Sequence, residues 1–599
     1  MTIVGITSLS KIAIISWETN FAQEVVKMLD LVIKDAKIVD GSGRPSFHGD
    51  VGVQGDKIVF VGAKAARGKQ EVNAEGRLLL PGWVDVHTHY DGQATWDEYL
   101  TPSCWHGVTT AIMGNCGVGF APADPNKREW LIGLMEGVED IPGTALAEGI
   151  QWEWESFPEY LNALEAKPRV MNLAAQIPHG PLRAYVMGEA GARNVAASDQ
   201  QMLKMAAIVR EAIQEGALGF STSRTVLHRS IDGELVPGTN ATAAELITIA
   251  KAMGDVGNPV FEVASDLAPE SKELGWMEDI LNTGCKITYA CVQNHFDPEQ
   301  WRRLLSHAKR FPGKIFPQVA IRPPGVLMCL EGTHPFSGRT TYAELHKLPL
   351  SERINWLKSP EIKRKILSEA GNGASSLLRL LFIEGKEISS KITDYDRIFT
   401  LNNPPEYEPE ASSSVAALAA IIGCDVEEMA YDLLLEDEGQ AFLYSPLFNY
   451  ASGNYDDART MMLNEHTVVG ISDGGAHCGM ICDASAPTYL LQHFVRDRTR
   501  GPRIRLEQAV KLQTYDTASL YGLSDRGLIE EGRRADLNLV DFDKLELVAP
   551  EMVDDLPAYG KRLIQRAEGY EATFVGGKMT FKNGEATGAL PGRLVRGRP

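Results

Sequence analysis

The stretch LLLPGWVDVHTHYDG, residues 78–92, runs from an apolar segment into two histidines one residue apart, His87 and His89. Side chains alternate faces along a strand, so both imidazoles point the same way. Two imidazoles side by side at the end of a buried strand either bind a metal ion or are simply polar residues at a strand mouth. The remainder of the chain has to decide between these readings.

Downstream, apolar strand patterns alternate with helical ones, which argues for a parallel α/β fold. Eight strands are expected, at 78–89, 108–116, 171–180, 216–222, 259–265, 285–293, 313–323 and 467–473. Several are continuous apolar runs, as strands covered on both faces should be. Eight such strands with intervening helices predict a (β/α)8 TIM barrel over 78–526, in which polar residues at the C-terminal strand ends are the catalytic candidates. Two insertions interrupt it, a tryptophan-rich stretch at 117–168 and a longer, mostly helical one at 324–466. An insertion of that length normally has its own structure and often covers a site. Short alternating strands with Gly and Asn-Gly turns return at both ends, 29–77 and 527–592, and predict one small β-sandwich built from both termini. Residues 1–28 read as an N-terminal extension without a catalytic role.

The bulk properties narrow the function. The chain has 599 residues, 44% hydrophobic and 23% charged, with a formal net charge of −20. This acidic balance argues against nucleic-acid or anionic-membrane binding. Eight cysteines without a CxxC pair are no disulfide framework and suit a reduced, cytoplasmic setting. The N-terminal stretch lacks a basic n-region and a small-residue cleavage site, and is too short and polar for a membrane span. No GxGxxG follows a strand, no Walker-type GK[ST] occurs, and GFSTSR lacks the GxSxG elbow, which argues against serine hydrolase chemistry.

Taken by strand ends, the first expected strand offers His87 and His89, the second Cys116 in GNCGVGFAP, the third His179 and the eighth Asp473 in GISDGGAH. Zinc accepts imidazole, thiolate and carboxylate together. Singly, each residue has a plain alternative: Cys116 as a small buried residue, Asp473 as a turn former before Gly-Gly. Their joint position at the strand ends of one fold favours a metal centre.

The segments LLLPGWVDVHTHYDGQ, WHGVTTAIMGNCGVGFAP, GALGFSTSR, ISDGGAH and GLIEEGRRADLNLVDFD together resemble the amidohydrolase superfamily and, within it, the N-acyl-D-amino-acid deacylase (D-aminoacylase) family. The resemblance runs from about Leu29 to Gly592. It implies a hydrolase of a small-molecule amide whose zinc, one ion or two, is held by His87, His89, Cys116 and Asp473 with further ligands from strands five and six. Cys116 stands where many related hydrolases use a carboxylated lysine. Asp473 would take the proton of the attacking water and return it to the leaving amine.

The sequence departs from that pattern on two strands. Strand five carries Ala264 where the family has a histidine, and strand six carries Gln293 near the other. Glu262, on the same face as Ala264, and His295, two residues past Gln293, are the stand-ins. Glu262 could otherwise pair with an arginine, and His295 could cap the helix that follows. Arg224 and Arg322 are candidates to pair a substrate carboxylate, each also able to form a structural ion pair. His179, His228 and His477 are further candidates for contact with substrate, and His106 reads as structural. Two alternatives stay open: a related hydrolase acting on a cyclic amide, and a barrel scaffold without metal. Apolar surface on the long insertion would support self-association.

Overall fold

The run at 78–89 is two strands rather than one. In the computed structural model, which describes residues 28–369 and 395–597, Leu78–Pro81 pairs antiparallel with Leu537–Val540 and parallel with Leu29–Ile38. Only from Trp83 does the chain join a parallel sheet. The break falls at Gly82, where a Cβ would meet the Thr109 hydroxyl at 2.1 Å. Only glycine allows so close an approach.

Eight strands follow one another in the parallel system. They are β1 (Trp83–Asp85), β2 (Val108–Met113), β3 (Asn172–Ala175), β4 (Gly219–Arg224), β5 (Val260–Ser265), β6 (Lys286–Ala290), β7 (Ile315–Ala320) and β8 (Val468–Gly470). β1, β2 and β3 pair in order, and Ile177–Pro178, which continues the path of β3, pairs with β4. Parallel pairing then runs from β4 to β7 and from β7 to β8. Beyond β8, a parallel bridge joins Thr88 to Gly474. Asp473 N–H donates to His87 O at 3.1 Å and His89 N–H to Gly474 O at 2.8 Å. β2 and β3 are buried at every position, as strands covered on both faces require.

Helices Asp199–Gln214, Ala243–Gly254, Glu270–Leu281 and Gln300–Ala308 connect β3 through β7. Two of their starts are set by side chains that satisfy free N–H groups: Ser198 and Gln201 form a capping box, and Thr242 accepts from Glu245 N–H.

Both chain ends contribute to one nine-stranded sheet, which holds strands from Leu29–Asn73, Leu78–Pro81 and Leu537–Ala586. Its buried side chains include Leu31, Ile33, Val51, Val53, Leu537 and Phe574. Residues 117–168 form helices Arg128–Glu139, Gly143–Gly149 and Phe157–Ala166. Their tryptophans pack inward, with Trp154 buried and donating to Phe120 O at 2.7 Å. The described part of 324–466 combines helices with an antiparallel sheet of Gly325–Met328, Leu443–Pro446 and Phe399–Thr400. It has a hydrophobic cluster of its own, with Val326, Phe336, Tyr342, Tyr431 and Leu434. Residues 1–27, read above as most of an N-terminal extension, lie outside the described residues. Among the described residues no helix is long and apolar enough to cross a membrane.

Candidate metal centre

His87 and His89 leave the end of β1, and the backbone bonds to the Asp473 loop fix where they emerge. The loop after β2 is held from several sides. Asn115 donates to Thr88 O at 3.1 Å and to Ile112 O at 3.0 Å, and accepts from Gln176 at 2.8 Å. Gly117, at φ +71°, lies against β4, where a Cβ would come within 2.7 Å of Ser223 N. Cys116 and Asp473 adopt left-handed backbone, at φ 55° and 48°. That conformation costs a non-glycine residue about 1–2 kcal/mol and is sustained here by the surrounding bonds.

These constraints bring the sequence candidates together. His87, His89 and Cys116 each offer a ligand atom, all within 4.8 Å of one another. Cys116 Sγ lies 3.4 Å from His87 Nε2. Asp473 Oδ1 lies 3.5 Å from His87 Nε2 and 3.6 Å from His89 Nε2. Glu262, on β5, accepts the Cys116 backbone N–H at 3.0 Å but is not in that ligand group. His477 Nε2 lies 3.9 Å from Asp473 Oδ2. His228 hydrogen-bonds Ser223 Oγ at 3.1 Å. Glu139, from the end of the first-insertion helix, and Gln318, from β7, complete the surroundings; neither was singled out in the sequence.

The remaining candidates have other partners. His179 bonds Thr222 and Glu245 through its two ring nitrogens, each at 2.9 Å. Arg224 makes a two-point pair with Glu273 at 2.7 and 2.9 Å and also donates to Ala241 O. Arg322 is buried, pairs with Asp483, donates to Ser485, Gln565 and Cys482 O, and stacks 4.0 Å over the Tyr407 ring. His295 is half-buried in the loop after β6 and is not in the ligand group. Gln293, in the same loop, is drawn away to Ser452 and Asp457. His106 bonds Thr488 and Gln565 O, both at 2.9 Å, away from the cluster.

The arrangement of Arg322 carries a prediction. Arg322→Met strands the buried Asp483 carboxylate, and we expect a stability loss of about 3–5 kcal/mol. Denaturant melts test this. A large rise in KM with unchanged stability would instead mark a substrate contact.

Burial lowers the proton affinity of His87 and His89, which keeps both imidazoles neutral at neutral pH, as metal ligands must be. Burial also brings His477 to about 4 and His228 to about 3. For Asp473 burial works the other way, but its interactions with His89, His87 and His477 outweigh it and hold the carboxyl below its usual range. Glu262 is pushed up to about 8 by burial, and burial raises Glu139 and the Cys116 thiol well above their usual values. Among the described residues, no lysine or arginine pairs with Cys116, Glu139, Glu262 or Asp473. His89 Nδ1, Glu139 Oε1 and His477 Nδ1 are buried without hydrogen-bond partners. A pocket of imidazoles, thiol and carboxylates without a matching cationic side chain has the donor set of a divalent, borderline-soft ion.

Several known proteins are similar to this chain over nearly its whole length. D-aminoacylase of Alcaligenes xylosoxydans xylosoxydans is 26% identical over 574 residues, spanning 94% of this chain and 97% of that protein. N-acyl-D-aspartate deacylase of the same organism is 26% identical over 573 residues, 94% of this chain and 95% of that protein. Among solved structures, a D-aminoacylase crystal structure superposes with a TM-score of 0.61 at 21% identity, covering 95% of this chain and 100% of that one. N-acyl-D-glutamate deacylase from Bordetella bronchiseptica, in complex with zinc and a phosphonate mimic of the tetrahedral intermediate, gives 0.60 at 22% identity, covering 95% and 100%. The model of the Amidohydrolase family matches residues 70–581, so the chain belongs to that family.

Proposed function

We propose that the protein is a zinc-dependent hydrolase of a small-molecule amide, an N-acyl-D-amino-acid deacylase in which Asp473 moves the proton. The observation that carries this reading is the buried meeting of His87, His89 and Cys116 with Asp473, whose Oδ1 is 3.5 and 3.6 Å from the two imidazoles. Its relatives at 26% identity over nearly the whole chain include D-aminoacylase and N-acyl-D-aspartate deacylase.

The fold reading that goes with it is a (β/α)8 barrel over 78–526, closed between β8 and β1. The parallel pairings and the Thr88–Gly474 bridge support closure. The nine-stranded sheet from 29–77 and 527–592 supplies the small β-sandwich, supported by its own buried core. The eight free cysteines are consistent with a reduced, cytoplasmic setting.

His87, His89, Cys116 and Asp473 would hold the ion, with Glu262 taking the part of the absent strand-five histidine. When bound, zinc lowers the pKa of a coordinated water and stabilises the developing oxyanion. Asp473, ionised at neutral pH because its neighbours hold its pKa down, accepts a proton from the attacking water as the new C–O bond forms. It returns that proton to the amide nitrogen as the C–N bond breaks, leaving a carboxylate and a free amino group. Its side chain is only 12% exposed, which limits competing bulk water. His477 and His228, kept neutral by burial, face the same mouth and suit hydrogen bonding to uncharged parts of the substrate.

A second reading, hydrolysis of a cyclic amide, is favoured by the changed strand-five and strand-six positions: Ala264 lacks an imidazole and Gln293 is held by Ser452 and Asp457. The test is a zinc-replete screen of N-acyl-D-amino acids, N-acyl-L-amino acids and small cyclic amides with amine release measured. We expect the D-series to be hydrolysed, chelation to abolish turnover and zinc to restore it. Turnover of cyclic amides alone would select the second reading. A folded, inert, metal-free protein would instead select the scaffold.

A further inference from the structure

Glu139 ends the first-insertion helix and takes no part in the reaction drawn above. It is 1% exposed. Its Oε1 lies 3.3 Å from His89 Nδ1, and neither buried atom has a hydrogen-bond partner. Its Oε2 lies 3.7 Å from His477 Nε2, and its backbone carbonyl accepts the His477 N–H. The next residue, Asp140, turns the chain at φ 52° and accepts Gly479 N–H at 3.0 Å. One helix end therefore grips the loop that carries Asp473. The partner histidine has a matching arrangement, since His87 Nδ1 meets Gln318 Oε1 at 3.0 Å. Each imidazole of the pair thus has an oxygen acceptor behind Nδ1 and presents Nε2 to Asp473 Oδ1.

We propose that Glu139 is a positioning residue of the metal centre: it accepts the Nδ1–H of His89, fixes the tautomer that leaves the Nε2 lone pair facing the ion, and ties the first insertion to the Asp473 loop. The inference rests on the metal-site reading above. A metal-bound histidine ordinarily donates its second N–H to an oxygen acceptor, which fixes the ring and raises its basicity. The two acceptors differ, an amide behind His87 and a carboxyl behind His89.

The test is zinc affinity, measured by competition with a chromophoric chelator on the full chain, for wild type, Glu139→Gln, Glu139→Ala and Asp140→Asn. Loss of an outer hydrogen-bond partner of a ligand typically weakens metal binding about 10–100-fold, and that is expected for Glu139→Ala. Glu139→Gln keeps the acceptor oxygen without the charge, so its loss should be smaller. Asp140→Asn keeps the Gly479 bond and should bind as wild type does. The cobalt-substituted Glu139→Gln protein should retain a thiolate-to-cobalt absorption band, showing that Cys116 still ligates. Wild-type zinc affinity in both Glu139 variants overturns the proposal; if Glu139→Ala fails to fold, the isosteric Glu139→Gln decides alone. A wild-type protein that binds no zinc overturns the metal-site reading itself, a result distinct from an unaffected variant.

Discussion

Asp473→Asn should lower kcat by about 10²–10⁴-fold while the protein remains folded, the range that a positioned proton-transfer group contributes. Asparagine preserves the size of the side chain and a carbonyl oxygen able to face His87 and His89, but it cannot accept the proton of the attacking water. The carboxylate suits the role because His89, His87 and His477 hold its pKa down against burial. Its backbone is set by its own N–H bond to His87 O and by the left-handed conformation, neither of which the substitution alters. Stopped assays of amine release should be run beside a thermal melt and metal analysis. A variant with wild-type metal content and near wild-type kcat would remove Asp473 from the proton path.

Cys116→Ala should empty the centre, with zinc affinity falling by at least about 100-fold, since removing a ligand costs no less than removing a ligand's hydrogen-bond partner. The thiol is buried, and burial together with Glu262, Glu139 and Asp473 keeps it protonated until a cation arrives. Metal binding must therefore expel that proton, and affinity should rise with pH. In Cys116→Ala one proton fewer is released, so the remaining affinity should depend less steeply on pH. Calorimetric titration in buffers of different ionisation enthalpy counts those protons. Unchanged metal content and proton count would make Cys116 a packing residue.

The parts of this account that could be read along the chain are those written in local pattern. The apolar runs place all eight parallel strands, and HxH, GNCG and SDGG stand just past their C-terminal ends. The parts that could not be read depend on where distant segments return. Arg224 and Arg322 look like open cations at strand ends, but their acids lie 49 and 161 residues further along the chain. Gln318 is an isolated polar residue within a buried strand, and its orientation toward His87 follows from the pleat of β7, not from any motif. Glu139 lies in an insertion whose path back to the strand mouths has no sequence signature. The split at Gly82 was hidden because the apolar run of Leu78–Pro81 continues into Trp83 and Val84; the contact with Thr109 and the change of pairing partners separate the two strands.

The central claim is that one ion is shared by side chains from three separate strand ends. Anomalous diffraction from crystals of the zinc-loaded protein, collected on both sides of the zinc edge, tests it most directly. The account predicts a peak bonded to His87 Nε2, His89 Nε2, Cys116 Sγ and Asp473. A zinc-replete crystal with no peak among these four residues, or with the peak elsewhere, would contradict it.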